Sequence, residues 1–179
     1  MRELTELEAA VLGYLWRAGP CTAYAVRREF LDSPSPWWSG SAGAVYPLLA
    51  RLRRAGLVRS SAVRADRRRS RLLELTPAGR RRLEAWLGPP LPDWVVGVPM
   101  DPLRTRLGLM AVLPAAGRAR LLAEAERGVR EHLARVRKDV ARARGTGDPW
   151  ELLFAEGAGA AQKARLAWLR GVRRRLAGA

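Results

Sequence analysis

Cysteine and histidine occur once each in this chain, as Cys21 and His132. One thiol cannot form an internal disulfide, and one thiol with one imidazole leaves almost no material for a Ser/His/Asp or Cys/His site. There is no Cys-x-x-Cys, no metal-ligand spacing and no glycine-rich phosphate loop; Gly157-Ala-Gly falls inside a helical pattern and says nothing of nucleotides. His132 lies in a charged helical stretch and reads as solvated. No enzyme, cofactor or metal is therefore expected. Long apolar runs are missing as well, none approaching the ~20 residues that a helix needs to cross a bilayer. Residues 1–8 are acidic and amphipathic instead of signal-like. The expectation is a cytoplasmic protein with no membrane partner.

Lysine is scarce too: only Lys138 and Lys163 are present, so nearly all of the 33 basic residues are arginines, against 17 acids and a net charge of +16. A genome-wide arginine bias would explain the bulk figure, but not its placement. Residues 1–90 hold 16 arginines and 8 acids, net +8, and residues 51–71 alone hold 9 arginines and the single acid Asp66, also net +8. The rest of that half sums to zero. A positive surface gathered into one short segment is the footprint expected of phosphate binding. Residues 91–179 carry another +8, spread through long helical patterns, where a solvated helix face is the simpler reading.

The segment 41–56 organises the first half. Val45, Leu48, Leu49 and Leu52 fall at i, i+3, i+4 and i+7, one apolar helix face, with Ser41 as N-cap and Gly56 just past the end. The other face offers Ser41, Gly43, Ala44, Tyr46 and Pro47 at its start, then Arg51 and Arg54. A small leading edge lets backbone approach a partner closely, and arginines further along suit phosphates. None of the leading residues is Arg, Asn or Gln, the usual bidentate base readers, so direct readout would rest on thymine methyls, a hydroxyl and DNA shape. Pro47 inside the helix removes one backbone hydrogen bond and is expected to bend or tighten the first turn.

Residues 57–63 and 70–75 read as two strands around a tip with Arg64, Arg67, Arg68, Arg69 and Arg71. Thr76-Pro77 then opens another helix, Thr as N-cap and Pro at the first helical position. Helix, basic hairpin, helix is the layout of a winged helix-turn-helix. Here the chain resembles the PadR family of transcriptional regulators, in Ser41-Ala-Gly-Ala-Val-Tyr-Pro-Leu-Leu, Arg51-Leu, Ala55-Gly-Leu-Val and Leu75-Thr-Pro-Ala-Gly. The resemblance covers the first half closely and the second only in architecture. It departs at the wing, where the family often has Gly-Arg-Pro-Arg-Lys followed by aromatics and this chain has Arg67-Arg-Arg-Ser-Arg-Leu-Leu.

Around this segment, residues 4–17 carry a wide apolar stripe, and residues 22–31 form a second helix capped by Thr22 with Tyr24, Val26, Phe30 and Leu31 as core candidates. In helix-turn-helix geometry Arg27 or Arg28 of that helix could meet a phosphate; two solvated charges are the alternative. Cys21 precedes it, either a small core residue or a thiol activated by the helix N-terminus. Residues 32–40, with two prolines, read as the connecting loop; Trp37 and Trp38 would cover the start of the recognition helix or stack on bases. Residues 76–87 form the helix after the wing, with Leu83, Trp86 and Leu87 inward.

The expected organisation is a DNA-binding domain over 1–88, a proline-rich linker over 89–99 and a helical dimerisation domain over 100–179. Trp94, Val95 and Val96 are too apolar for a free linker and should pack on something. Residues 102–113 form a short helix with Leu103, Leu107, Met110 and Leu113 in register. Residues 115–144 carry Leu122, Val129, Leu133, Val136 and Val140 on heptad positions, interrupted by Glu126, and residues 150–176 add Phe154, Ala161 and Val172. These are the dimerisation candidates, since the resemblance implies a helical region that pairs two chains. It also implies, for some members, a flat aromatic ligand held between tryptophans at the dimer interface; Trp94, Trp150 and Trp168 are the candidates here, with helix packing as the alternative.

The fold class expected is mostly α: a winged helix-turn-helix of three or four helices with a two-stranded wing, then a coiled-coil-like helical domain. The function expected is a homodimeric regulator, a repressor, binding a palindromic duplex through residues 41–55 and 57–75, released by a small aromatic effector. The alternatives are a sequence-nonspecific basic nucleic-acid-binding protein, or a protein-interaction module on the same fold.

Overall fold

The computed structural model describes residues 2–33, 35–65 and 68–177, with backbone alone for 63–65 and 68–70. The chain divides into two compact units, Met1–Gly97 and Val98–Ala179.

The first unit is built from α1 (Glu6–Ala18), β1 (Cys21–Thr22), α2 (Ala23–Leu31), α3 (Pro36–Ser41), a 3₁₀ turn (Ala42–Ala44), α4 (Val45–Arg54), β2 (Val58–Ala65), β3 (Arg68–Leu75), α5 (Pro77–Leu87) and the single turn α6 (Asp93–Val96). Helix α1 begins with a capping box. The Thr5 hydroxyl accepts from the Glu8 backbone N–H, and the Glu8 carboxylate accepts from the Thr5 N–H at 2.9 Å. Its stripe Val11, Leu12 and Leu15 is fully buried with Val26, Val45 and Leu48. Thr22 caps α2 by accepting from Ala25 N–H.

The sheet is three-stranded and antiparallel in the order β1-β3-β2. Register runs from Val58↔Leu75 to Ala65↔Arg68, and Cys21↔Leu73 adds a short third strand that the sequence did not reveal. Leu73 and Val58 point into the core.

The structure moves several boundaries. Residues 36–41 are helical and not loop. Pro36 stands at the first turn of α3, where its missing N–H costs nothing. Ser41 accordingly caps nothing; it ends α3 in helical conformation, and its Oγ donates to the Trp37 carbonyl at 2.8 Å. The 3₁₀ turn Ala42–Ala44 sits directly before the α4 turn that holds Pro47, the tightening that a proline without a donor invites. Tyr24, Leu31 and Leu87, expected in the core, are exposed, because α2 and α5 each bury only a narrow stripe: Val26 with Phe30, and Gly79 with Leu83. Trp94, Val95 and Val96 are likewise exposed on α6.

The junction of α4, β2 and α5 is the tightest point of the unit. Gly56 takes φ +70°, a left-handed conformation that ends α4. The Thr76 hydroxyl donates toward the Gly56 and Leu57 carbonyls at 2.7 and 3.1 Å and accepts from the Gly79 N–H at 3.0 Å. The Thr76 N–H also bonds the Leu57 carbonyl at 3.1 Å. Gly79 lies so close to this carbonyl that any Cβ there would overlap the Leu57 oxygen and come within 2.7 Å of Leu75 Cδ1.

The second unit comprises α7 (Pro102–Gly108), a 3₁₀ turn (Met110–Val112), α8 (Ala115–Thr146) and α9 (Pro149–Ala177). Asp101 caps α7 and is tied to Arg165 of α9 at 2.8 Å. Helices α8 and α9 form an antiparallel hairpin joined at Gly147, φ +73°, with the Asp148 carboxylate accepting from the Trp150 N–H at 2.9 Å. Leu122, Val129, Leu133, Leu166, Leu169 and Leu107 make its core, and Leu113, expected in register with α7, is exposed. Among the described residues no helix is long and apolar enough to cross a membrane.

Two predictions follow from the packing of the first unit. Gly79→Ala should lower stability by roughly 1–3 kcal/mol, because backbone and not a flexible side chain must give way; thermal unfolding measures it, and Gly128→Ala, where a Cβ meets open space, is the control. The second concerns acid. Burial pushes the Glu8 carboxyl up, but the Thr5 N–H and the Arg2 guanidinium at 2.6 Å outweigh it and hold the carboxyl below its ordinary value. A depressed folded value gives stability that is present above the unfolded glutamate pKa and is lost as pH falls through the folded one. Glu8→Gln should therefore flatten the fall in melting temperature as pH is lowered through the carboxylate range.

Candidate nucleic-acid interface

Helix α4 is divided cleanly between two environments. Val45, Leu48, Leu49 and Leu52 are buried at 3% exposure or less, while Gly43, Ala44, Tyr46, Pro47, Ala50, Arg51 and Arg54 are exposed. The apolar periodicity decides this, since one face must cover Val11, Val26 and Val58, and the rest is left to solvent. Ser41 is half-buried with its hydroxyl engaged by the Trp37 carbonyl, so it presents less to a partner than its position suggests.

The arginines of this face differ from most of their neighbours. Arg17, Arg28, Arg59 and Arg80 pair with Glu29, Asp32, Glu74 and Glu84 at 2.7–2.9 Å. Arg51, Arg53, Arg54 and Arg71 make no ion pair with any described residue. Of the wing-tip residues, Arg71 is exposed on β3; the side chains of Arg64, Arg68 and Arg69, and the whole of Arg67, lie outside the described residues. Arg27 is half-buried, whereas Arg28 is bound to Asp32, which raises its pKa further and makes it a poorer phosphate partner.

Two features escaped the sequence reading. Arg53 is exposed beside Arg54 and faces the root of the wing across a shallow groove lined by Ala50, Val58, Arg59 and Ser60. Its signal was available: residues 46, 50 and 53 stand at i, i+4 and i+7, the flank of α4 next to its apolar face. The second is Trp37. Trp38 packs edge-on against Phe30, ring centroids 5.7 Å apart, but Trp37 is 75% exposed one turn before Ser41. One tryptophan packs against the core and the other does not.

Cys21 is half-buried in β1 against the core, and burial pushes its thiol up, the opposite of activation. Among the described residues no cluster of His, Cys, Asp and Glu could hold a metal. His132 on α8 is half-buried, its Nδ1 2.9 Å from Arg135.

In the second unit Leu122, Val129, Leu133 and Val136 are buried in the α8–α9 hairpin of their own chain, with Val140 half-buried. Val172 is half-buried against the same core, whereas Ala161 and Phe154 are exposed. The heptad stripe of α8 is therefore occupied within the chain. On α9 the outward apolar residues include Trp150, Leu153 and Phe154, exposed at 63–73%; Leu109 and Val112, before α8, are also exposed. Trp150 and Trp168 stand on one face of α9 but about 27 Å apart along it, too far to line one pocket within a chain. Trp94 is exposed on α6 of the other unit. Trp168 borders a small open recess with Arg104, Ala161, Ala164 and the Asp101–Arg165 pair.

The model of the transcriptional regulator PadR-like family matches residues 11–85. Compared with curated proteins, the sequence has no match. Among solved structures, the chain is similar to Bacillus subtilis PadR in complex with operator DNA, at TM-score 0.78 and 19% identity over 96% of this chain and 99% of that one. It is similar to the PadR-like transcriptional regulator BC1756 from Bacillus cereus, at TM-score 0.77 and 17% identity over 98% of both chains. It is also similar to Bacillus subtilis PadR in complex with p-coumaric acid, at TM-score 0.73 and 19% identity over 95% of this chain and 94% of that one. These likenesses carry the fold through both units: a winged helix followed by long helices. Over residues 11–85 the chain is similar to the PadR-like family of transcriptional regulators, and its fold is that of a winged helix.

Proposed function

We propose that this protein is a homodimeric DNA-binding regulator, acting as a repressor on a palindromic operator. The observation that carries this reading is the outer face of α4: a bare, exposed start at Gly43, Ala44 and Pro47, with Tyr46 beside it, followed by arginines left without acidic partners among the described residues. A small leading edge admits the helix to a major groove, and free guanidiniums receive phosphates where paired ones would first have to break an ion pair. Arg64, Arg67, Arg68, Arg69 and Arg71 of the wing extend the same contact along the backbone.

The second unit supplies the pairing. With the α8 stripe used inside the chain, we assign the pairing to the exposed face of α9 that carries Trp150, Leu153 and Phe154. Two winged domains held by such a pairing meet half-sites about 34–36 Å apart or a multiple of that. A flat aromatic acid is the effector class we propose. Bacillus subtilis PadR has been captured with p-coumaric acid; here Trp168 beside Arg104 and the small Ala161 and Ala164 offers a ring face and a cation together. Binding there would act by changing the geometry of the pair, so that both half-sites are no longer engaged at once.

A sequence-nonspecific basic protein would distribute its unpaired charge broadly. In the first half, the net charge is confined to residues 51–71, which favours a docked element over a general polyanion binder.

Selection of bound sequences from random duplexes should return a symmetric site, preferred over random DNA by roughly a thousandfold or more. Tyr46→Ala should erode that preference, while Arg51→Ala should weaken all duplexes alike and reduce the salt slope by about 1. Flat selection output would refute the regulator. Sedimentation tests the pairing: Phe154 is 73% exposed in the single chain, so Phe154→Glu should leave the melting of secondary structure intact while converting dimer to monomer.

A further inference from the structure

The groove between the last turn of α4 and the root of the wing has a composition that the apolar packing beneath it does not require. Strand β2 passes under α4 with Val58 buried; two residues on, along the same face of the strand, Ser60 emerges half-buried at the groove edge. Arg53 and Arg54 overhang it from the helix, Arg59 borders it from the strand, and Ala50 leaves its floor open. Three arginines thus line one concavity. Only Arg59 is neutralised, by Glu74 at 2.8 Å. Thr76, also on the rim, has its hydroxyl committed to Gly56, Leu57 and Gly79. The free donors that remain are the two guanidiniums of Arg53 and Arg54 and the Ser60 hydroxyl. All three can donate to an anion; no acceptor among them competes as a charge.

Two uncompensated cations on adjacent residues repel one another, and a helix C-terminus offsets this only in part. A tetrahedral anion with several acceptor oxygens, held between them and the hydroxyl, removes the repulsion and uses all three donors. The groove is shallow and open to one side, which suits a phosphodiester in a continuing chain better than a free ligand that must be enclosed.

We propose that Arg53, Arg54 and Ser60 form a clamp for a single backbone phosphate of the bound duplex, at the seam between recognition helix and wing. This rests on the reading that α4 binds duplex DNA, and it adds to that reading a contact that reads no base. Arg59 serves as a positioning residue: paired with Glu74, it borders the strand side of the groove without competing for the anion. The clamp sets how deep α4 can enter the groove, because the seam cannot slide once this phosphate is held.

The test uses the full-length protein and its selected duplex. Binding is measured by anisotropy against salt for wild type, Arg53→Ala, Ser60→Ala and Arg81→Ala, the last an exposed arginine on α5 outside the groove. Single neutral methylphosphonate substitutions are then scanned along the duplex. The expected result is that Arg53→Ala lowers the salt slope by about 1 with operator and random duplex weakened by the same factor, that Ser60→Ala weakens binding without changing the slope, and that Arg81→Ala changes neither. One methylphosphonate position should cost wild type affinity and cost Arg53→Ala nothing further. If wild type binds while Arg53→Ala matches it in slope, or if no methylphosphonate penalty disappears in that variant, the clamp is wrong and the regulator reading stands. If wild type binds no duplex, the reading beneath it fails and the clamp falls with it.

Discussion

The winged unit hangs on a contact between one hydroxyl and two carbonyls. Thr76 closes onto Gly56 and Leu57 just where α4 has ended and β2 is about to begin, and the same oxygen accepts from Gly79 to start α5. Three elements are joined at that atom. The angle between recognition helix and wing follows, since α4 cannot turn without breaking the junction at its end, and the wing cannot swing without moving Leu57. Gly79 is the steric condition for it: α5 approaches the Leu57 carbonyl more closely than any side chain would permit. The Leu75-Thr-Pro-Ala-Gly run is therefore a set of requirements at one place: a strand end, a cap, a first-turn proline and an absent Cβ.

Charge is arranged on the same framework. Along α8 and α9, Arg127, Arg130, Arg142, Arg144 and Arg173 each reach a glutamate on their own helix or its neighbour. Glu126 is the extreme case, a carboxylate 1% exposed in the hairpin seam, held by Arg130 at 2.6 Å and Arg173 at 2.9 Å. It breaks the apolar heptad, yet its two partners on two helices tie the register that leucines alone would leave free to slip. On α4 the arginines have no such partners among the described residues. Part of the charge of the second unit is thus engaged in bracing the hairpin, whereas the arginines of α4 make no ion pair with any described residue.

Much of this was open to a reader of the sequence, and the reasons are local. The i, i+3, i+4, i+7 spacing in α4, the Thr22 and Thr76 caps, and the glycine after Ala55 are short-range signals whose physics is complete within one turn. The Thr5–Glu8 box was equally visible, three residues apart. The misplacements also have physical causes. The prolines before Trp37 signal a loop by composition, yet proline at a first helical turn is compatible with helix. Tyr24, Leu31 and Leu87 fit apolar stripes but found nothing to cover them, because the neighbours they would need are far away in sequence.

What the sequence by itself determined is the winged helix-turn-helix pattern, the buried face of α4 and the concentration of positive charge in residues 51–71, because each depends on periodicity, capping or composition within a short window. Only the tertiary structure decided which partner each apolar stripe takes. The heptad of α8 is the same row of side chains whether it meets a second copy or its own α9, and a stripe carries no mark of its mate; the turn at Gly147 folds the chain back and settles it. The same holds for Arg53. Its position on α4 is periodic, but its place across from Ser60 exists only because the wing returns beside the helix.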